Sequence, residues 1–498
     1  MSTTALIKLL KFRYLLCFSL SLLLLFIATA DLPLVSKVPL TKNPPNILFV
    51  LTDDLDLAEV EYMPQVKSYF VNGGTSFSNY FVNISLCCPS RATMLRGQYA
   101  HNTGVYTNQK EDGSFIYFYR HGLEKSTIAT WLKEKGYRNG YIGKYFNGYP
   151  RQAPKNYVPP GWDQWASPIN DSGYMGYKYT LNENGNFVEY GDRPEDYNAD
   201  VYTKKAQQFI NQAAQDKKPF FLYISYFAPH QPAIPAPRHS ELFPDAIAPR
   251  TPSFNEPDVE DKPTYIRELP LLSQKEITRI DKLYQKRLRS LQAVDEGLVT
   301  LINTLKANGQ LDNTYIIFTS DNGFHLGQHR LPPQKETAYE EDIHLPLYVR
   351  GPNVPKGKTV DQIVSNVDLA PTFAELAGVM PPNFIDGRSL VSLFRRPLSI
   401  PQSWRQVLLL QHRLNPQAKP LIPNYKGLRT KDCTYVKYKN GEEELYNLRQ
   451  DPYQLENLAK VISPPIIKEY AQRLLHLSDC RGETCREREV QPLPDCAK

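Results

Sequence analysis

From Asn46 the chain reads NILFVL, a short apolar run without the polar alternation of a half-solvated strand. Such a run fits a strand covered on both faces, as in a parallel sheet. GYIG (140–143), FFLYISYF (220–227), YIIFTS (315–320) and LPLYVRG (345–351) share that texture. Amphipathic stretches separate them. In the clearest, Leu291, Val294, Leu298, Leu301 and Leu305 recur at helical spacing and Gly309 closes the helix. This alternation dictates an α/β fold, a large, mostly parallel mixed sheet flanked by helices. Past about Leu390 the texture changes. TYVKYKNGEEELYNL alternates and turns at Asn440-Gly441, which predicts a type I′ hairpin, and a last helix is predicted over 466–477. Residues 31–390 therefore read as the main domain. Residues 391–498 read as a smaller C-terminal subdomain with an antiparallel sheet, a helix and a disulfide loop.

Residues 1–30 predict a secretory signal peptide. Lys8, Lys11 and Arg13 form its basic region, YLLCFSLSLLLLFI its apolar core, and ATA before Asp31 its cleavage site. The core is shorter than the ~20 residues a spanning helix needs, so no stable membrane anchor is expected. The chain carries 58 basic and 52 acidic residues; three of the basic ones lie in that signal, leaving +3 elsewhere. So even a balance, without a long Lys/Arg run, argues against a nucleic-acid partner. Of the seven cysteines, Cys17 belongs to the signal. Cys480 and Cys485, in CRGETC, have the form of a small disulfide loop, and Cys433 with Cys496 is the natural second pair; other connectivities stay open. Cys87 and Cys88 stand outside this set.

In open α/β sheets, ligands bind beyond the C-terminal ends of the strands. There the chain places Asp53 and Asp54 after the first run, and Asp321 and Asn322 after the fourth. Three carboxylates and an amide oxygen suit a hard cation, Ca²⁺ or Mg²⁺, although DD and DNG are also common turn sequences. Lys144 follows GYIG, His230 follows FFLYISYF, and Lys335 lies beyond DNGFHLGQH. Singly, each reads as a solvated lysine or a capping histidine. Together they would surround an anion such as a sulfate or phosphate ester. His325 and His329 either line the pocket or pack beside it, and His101 is expected to face the same site. Two glycosylation sequons begin at Asn83 and Asn170. Asn170 lies in a polar loop and is the better acceptor; a glycan on Asn83, four residues before Cys87, would crowd the site.

The run CCPSRATMLRG, from Cys87 to Gly97, resembles the first signature of the sulfatase family, C-x-P-S-R-x-x-x-L-x-G, at every defined position. TDD, GK, APH and SDNG also stand in that family's order. The resemblance implies an alkaline-phosphatase-like fold. It further implies that a formylglycine-generating enzyme oxidises Cys87 to formylglycine in the endoplasmic reticulum, reading the C-x-P-x-R context. Asp53, Asp54, Asp321 and Asn322 would then bind one Ca²⁺ together with residue 87. Arg91 and Lys144 would hold the aldehyde hydrate, while Lys335 and His230 bind the sulfate, His230 protonating the leaving oxygen. One hydroxyl of the hydrate attacks sulfur and the other expels sulfate, a release that serine could not offer. Cys88 fills a variable position and reads as a small buried hydrophobe.

GYRNGYIGKYFNGY resembles the second sulfatase signature with one departure. Many relatives have a histidine two residues after the lysine, where this chain has Phe146; Asn147 is the candidate stand-in as a substrate contact. The G-K-Y-F-N form resembles the branch that holds the glucosamine-6-sulfatases and the extracellular heparan endosulfatases, the latter with a long basic insert that this sequence lacks; NTYIIFTSDNGFHLGQ, YEEDIHLPLYVRGP and LLHLSDCRGETC resemble N-acetylglucosamine-6-sulfatase most. The implied substrate is a sulfated carbohydrate, and the implied location extracellular or lysosomal. A broad-specificity arylsulfatase acting on aryl sulfates, and a phosphonate or phosphodiester hydrolase on the same fold, remain alternatives. So does an inactive sulfated-glycan-binding protein, although such a relative should have lost Cys87, Lys144 or a metal carboxylate.

Overall fold

A computed structural model of the chain describes residues 44–109, 111–395 and 403–497. The signal peptide expected over 1–30 lies outside the described residues. From Pro44 on, the chain is one compact unit. Its main sheet has ten strands: β1 (Asn46–Asp53), β2 (Thr75–Phe77), β3 (Arg138–Gly143), β4 (Gln164–Pro168), β5 (Tyr179–Glu183), β6 (Asn186–Tyr190), β7 (Phe220–Pro229), β8 (Thr314–Ser320), β9 (Leu347–Arg350) and β10 (Lys358–Val360). Their order is β10-β2-β9-β8-β1-β7-β3-β4-β5-β6.

The centre is parallel, with Ile47 level with Phe221 on one side and Tyr315 on the other. Every residue of β1, β7 and β8 is buried, as the unbroken apolar runs require. The run at 345–351 departs from its companions, because β9 lies antiparallel to β8. A covered strand is apolar in either direction, so composition leaves its sense open. The sequence leaves the β4–β6 meander unmarked for the opposite reason: three of the five residues of its outer strand are exposed, Phe187 among them, so it carries no unbroken buried run.

Helices α1 (Cys87–Arg96), α2 (Ile128–Glu134), α3 (Asn198–Asp216), α4 (Gln274–Ala307) and α5 (Leu369–Leu376) pack around the sheet. The helix expected at Leu291–Leu305 is the second half of α4. Its polar first half starts at a capping box of Ser273 and Glu276. Each core leucine, isoleucine or phenylalanine removed from water contributes about 1.5–3 kcal/mol.

A second sheet of four antiparallel strands, β11 (Leu408–His412), β12 (Tyr425–Arg429), β13 (Cys433–Tyr438) and β14 (Glu443–Asn447), follows. The final helix, α6, runs Pro464–Leu477. One apolar cluster reaches from Ile47 to Leu445 and Leu477, so the two sheets share a core. The β13–β14 hairpin turns at Asn440-Gly441, but not as type I′. Gly441 has φ 93°, Asn440 is not left-handed, and the Gly441 N–H donates to the Tyr438 carbonyl, which makes a type I turn with a glycine bulge. Cys433–Cys496 and Cys480–Cys485 are disulfide-bonded, and Cys87 and Cys88 are free and buried.

Candidate active site

At the end of β1 the chain turns sharply at Asp54, whose φ of 66° is left-handed. For a non-glycine residue that costs about 1–3 kcal/mol unless the surroundings impose it. They do so here. The Asp54 N–H donates to Asp321 Oδ1 (3.2 Å), and its carbonyl accepts from Arg287 Nη2 (2.6 Å). Arg287 is itself anchored by a buried ion pair with Glu59. Neither residue was read from the sequence, although a signal exists: an arginine interrupts the apolar stripe Tyr284, Leu288, Leu291 of α4.

Lys144 arrives through Gly143, with φ 106°, where a Cβ would meet the Ser225 carbonyl oxygen at 1.9 Å. Only glycine lets β3 pass so close to β7. That approach brings Ser225 Oγ and the Lys144 carbonyl to Arg91 Nη1, both at 2.8 Å. Cys87 opens α1, whose partial positive end faces the same space.

These elements place three buried carboxylates against three buried cations. Lys144 pairs with Asp53, Lys335 with Asp54, and Arg91 Nε with Asp321 Oδ2 (2.8 Å). Lys335 Nζ also lies 3.0 Å from Cys87 Sγ, which is 3.6 Å from Asp53 Oδ1. Asn322 Nδ2 donates to Asp54 Oδ1 (2.6 Å), while the buried Asn322 Oδ1 has no partner. His230 Nε2 is 3.5 Å from Asp54 Oδ2, and its Nδ1 is 2.6 Å from the Gln231 carbonyl. Ligand atoms of Asp53, Asp54, residue 87 and His230 lie within 4.8 Å of one another.

Burial opposes ionisation of Asp53 and Asp54, but Lys144 and Lys335 with His230 outweigh it and hold both carboxyls below their ordinary range. Asp321 is pushed up to about 6 by burial and by the charge on Asp53. Burial pushes His230 down to about 4 against the pull of Asp54. The Cys87 thiol is pushed up to about 11, burial outweighing Lys144 and Lys335. An unmodified thiol there stays protonated and is a poor nucleophile.

Asn147 donates from Nδ2 to Tyr174 Oη (2.8 Å), and its Oδ1 accepts from the Cys88 thiol. Cys88 is the small buried group expected, packed in the apolar core with weak sulfur contacts to Asn147. The Tyr174 ring lies 5.0 Å from Lys144 Nζ and packs on His230. Nothing in the sequence around Tyr174 marked it. Phe146 is buried against Phe118 and Tyr145. His325 is buried with Nδ1 3.0 Å from both Asp342 oxygens and Nε2 unpartnered. His329 packs on Tyr339 and pairs with Glu256. His101 does not face the site; its ring joins Gln411 of β11 and the Cys480 carbonyl. Asn83 is fully buried, which closes it to a glycan, whereas Asn170 is exposed.

The cluster offers oxygen ligands for a hard divalent cation, with the unpartnered Asn322 Oδ1 as a ready acceptor. The charges of the six ionic groups balance, so such a cation leaves the site positive and suited to an anionic ester. The sulfatase family profile matches residues 45–379, and the profile for the N-sulphoglucosamine sulphohydrolase C-terminal region matches 327–479. The chain belongs to the sulfatase family. It is 37% identical over 402 residues to a Sulf-1 homolog of Caenorhabditis elegans, covering 78% of this chain and 56% of that protein. It therefore spans about half the length of that relative. It is 33% identical over 479 residues to human N-acetylglucosamine-6-sulfatase, covering 89% of this chain and 86% of that one. The solved structure of BT4656 with D-glucosamine-2-N,6-O-disulfate superposes at a TM-score of 0.75 with 25% identity, covering 90% of this chain and 99% of that one.

Proposed function

We propose that this protein hydrolyses sulfate monoesters of sugars, RO–SO₃⁻ plus water giving ROH and sulfate, and that its ester is a 6-O-sulfated glucosamine. Support for the sugar comes from the relatives' names and from the ligand of the BT4656 structure. The single observation that carries the reading is residue 87. It lies at the start of a helix between Lys335 and Asp53, in a C-C-P-S-R context, and burial keeps its thiol protonated and so a poor nucleophile.

A formylglycine-generating enzyme would oxidise Cys87 during passage through the secretory pathway, and the hydrated aldehyde would supply the nucleophilic hydroxyl and the later exit for sulfate. One Ca²⁺, held by Asp53, Asp54, Asp321, Asn322 and residue 87, would polarise the sulfate and make that hydroxyl more acidic. Lys144 and Arg91 fix the carboxylates around residue 87 and hold its hydrate. Lys335 neutralises a sulfate oxygen. His230, whose Nδ1 is turned to the Gln231 carbonyl, directs Nε2 into the site to protonate the leaving oxygen. Its side chain is 22% exposed, as a group that meets substrate must be. An anionic ester beside it raises its proton affinity from the low value of the free site. Asn147 and His325 would contact the sugar. No helix among the described residues is long and apolar enough to cross a membrane, which accords with an extracellular or lysosomal glycoprotein carrying its glycan at Asn170.

The test is peptide mass spectrometry across residue 87, with sulfate release measured on N-acetylglucosamine 6-sulfate, an aryl sulfate and a phosphonate ester. Formylglycine and preferred turnover of the sugar sulfate are expected. Preferred turnover of the aryl sulfate or the phosphonate overturns the substrate assignment. A thiol at residue 87 in all molecules, with glycan binding and no turnover, overturns the catalytic one.

A further inference from the structure

Lys335 is followed by a residue that the mechanism above leaves unused. Glu336 has φ 87°, well outside the range a side chain favours, and is 3% exposed. Strain of this kind persists where neighbours impose it. The neighbours come from the C-terminal sheet. Asn415 Nδ2, just past β11, donates to Glu336 Oε1 (2.9 Å), and Tyr425 Oη of β12 donates to the Glu336 carbonyl (3.1 Å). Glu336 Oε2 is buried without a hydrogen-bond partner, and the group facing it is His412 Nδ1 at 3.8 Å.

The other nitrogen of His412 decides what that means. His412 Nε2 lies 3.3 Å from the Ile422 carbonyl, an acceptor, so Nε2 carries the ring proton. Neutral His412 therefore turns a lone pair toward Glu336 Oε2. Two acceptors face each other across 3.8 Å in a buried space, too far for a hydrogen bond, and a single proton held by the pair removes the repulsion between them. Held by either partner, that proton leaves the pair with no net charge.

We propose that Glu336 is a positioning residue. Sharing one proton with His412, it fixes the strained turn that presents Lys335 to residue 87, and so couples the C-terminal sheet to sulfate binding. The inference rests on the reading of Lys335 as a sulfate-binding group. Burial pushes the Glu336 carboxyl up to about 7 and His412 down to about 4, in keeping with a carboxyl that holds the proton. The charged and titratable groups around Glu336 are Lys335 on its own loop, Asp342 and His325 on the segments either side, His412 on β11 and Tyr425 on β12. Lys335 and His325 favour ionised Glu336, and Asp342 opposes it. The shared proton is present below that titration and is lost as pH rises through it. What remains is a bare carboxylate beside a lone pair, next to the lysine that must stay aimed at sulfate.

The experiment compares the wild type with Glu336→Gln and Glu336→Ala from pH 5 to 9. KM and kcat are measured on N-acetylglucosamine 6-sulfate, and the Kd of inorganic sulfate by calorimetry, which needs no turnover. The wild type should hold a constant KM and Kd at low pH, then lose affinity by about tenfold per pH unit above the titration, with kcat little changed. In Glu336→Gln the amide donates to His412 Nδ1 while its oxygen accepts from Asn415, so affinity should stay near the low-pH wild-type value throughout. Glu336→Ala should bind sulfate weakly at every pH. A Glu336→Gln profile that rises with pH like the wild type, or a folded Glu336→Ala with wild-type affinity, overturns the inference. If Glu336→Ala does not fold, Glu336→Gln decides alone. Absence of turnover in the wild type would instead count against the proposed function, and the sulfate Kd would still judge Glu336.

Discussion

Two of the buried ionic clusters among the described residues are built from the same kinds of side chain and left in different states. In one, Arg405 binds both oxygens of Asp368 and Glu489 Oε2, while Glu489 also accepts from Arg388 and Tyr99. Every side-chain oxygen of Asp368 and Glu489 and every guanidinium nitrogen of Arg405 has a partner; only Arg388 Nε, at the rim, makes no hydrogen bond. In the other, around residue 87, Asn322 Oδ1 at the centre has no hydrogen-bond partner, Arg91 Nη2 approaches only Asp53 at 3.8 Å, and Asp54 is held left-handed. A cluster that closes on itself fastens one part of the fold to another. One that keeps polar atoms open and backbone strained is shaped for something that arrives later. The first joins Asp368, at the start of α5, and Tyr99, just past α1, to Arg405 and Glu489 of the C-terminal subdomain; the second joins strand ends to a helix start.

The comparison can be broken most severely at residue 87. Cys87→Ser should lower kcat/KM at least about 10⁴-fold, because the nucleophile is lost while the carboxylates stay. Its thermal midpoint should stay close to the wild type; a large fall would mean that residue 87 holds the fold instead. Arg405→Leu should do the reverse. Stranding Asp368 and Glu489 costs about 3–5 kcal/mol, to be read by denaturant titration, with turnover per folded molecule retained. Chelation separates the clusters a third way. Removing the divalent cation should abolish turnover and lower stability by about 2–3 kcal/mol if the cation normally stands near a hundredfold above its Kd. Calcium should restore both in the wild type, whereas Arg405→Leu should stay destabilised with the metal replaced. The smallest effect should come from Cys88→Ala. It loses the two sulfur contacts to Asn147, one to Oδ1 and one from the backbone N–H, and about 1 kcal/mol of stability, and steady-state rates should stay within a few-fold.

Much of the active cluster was legible in sequence because it hangs on strand ends. An unbroken apolar run announces a covered strand, and the polar residues that follow it must emerge at one edge of the sheet. Asp53, Asp54, Asp321, Lys144 and His230 were found that way. The closed cluster was not, since Asp368, Arg405 and Glu489 are far apart in the chain and each alone resembles a surface charge. Arg287 lay between these cases, visible as a charge within an apolar stripe but with no indication of what it braced. His101 was misplaced because proximity in sequence to residue 87 says nothing about the direction in which a helix carries its side chains.

The sequence by itself determined the sheet-and-helix class, the central strands, the disulfide pairs its spacing favoured and the residues gathered at the strand ends, because period and composition are local properties. Tertiary structure alone decided the antiparallel sense of β9, the bracing of Asp54 by Arg287, the meeting of Glu336 with His412, and which charges close on one another. Those depend on distances between segments that lie tens to hundreds of residues apart, and hydrogen bonds and ion pairs form only where packing brings the groups within reach.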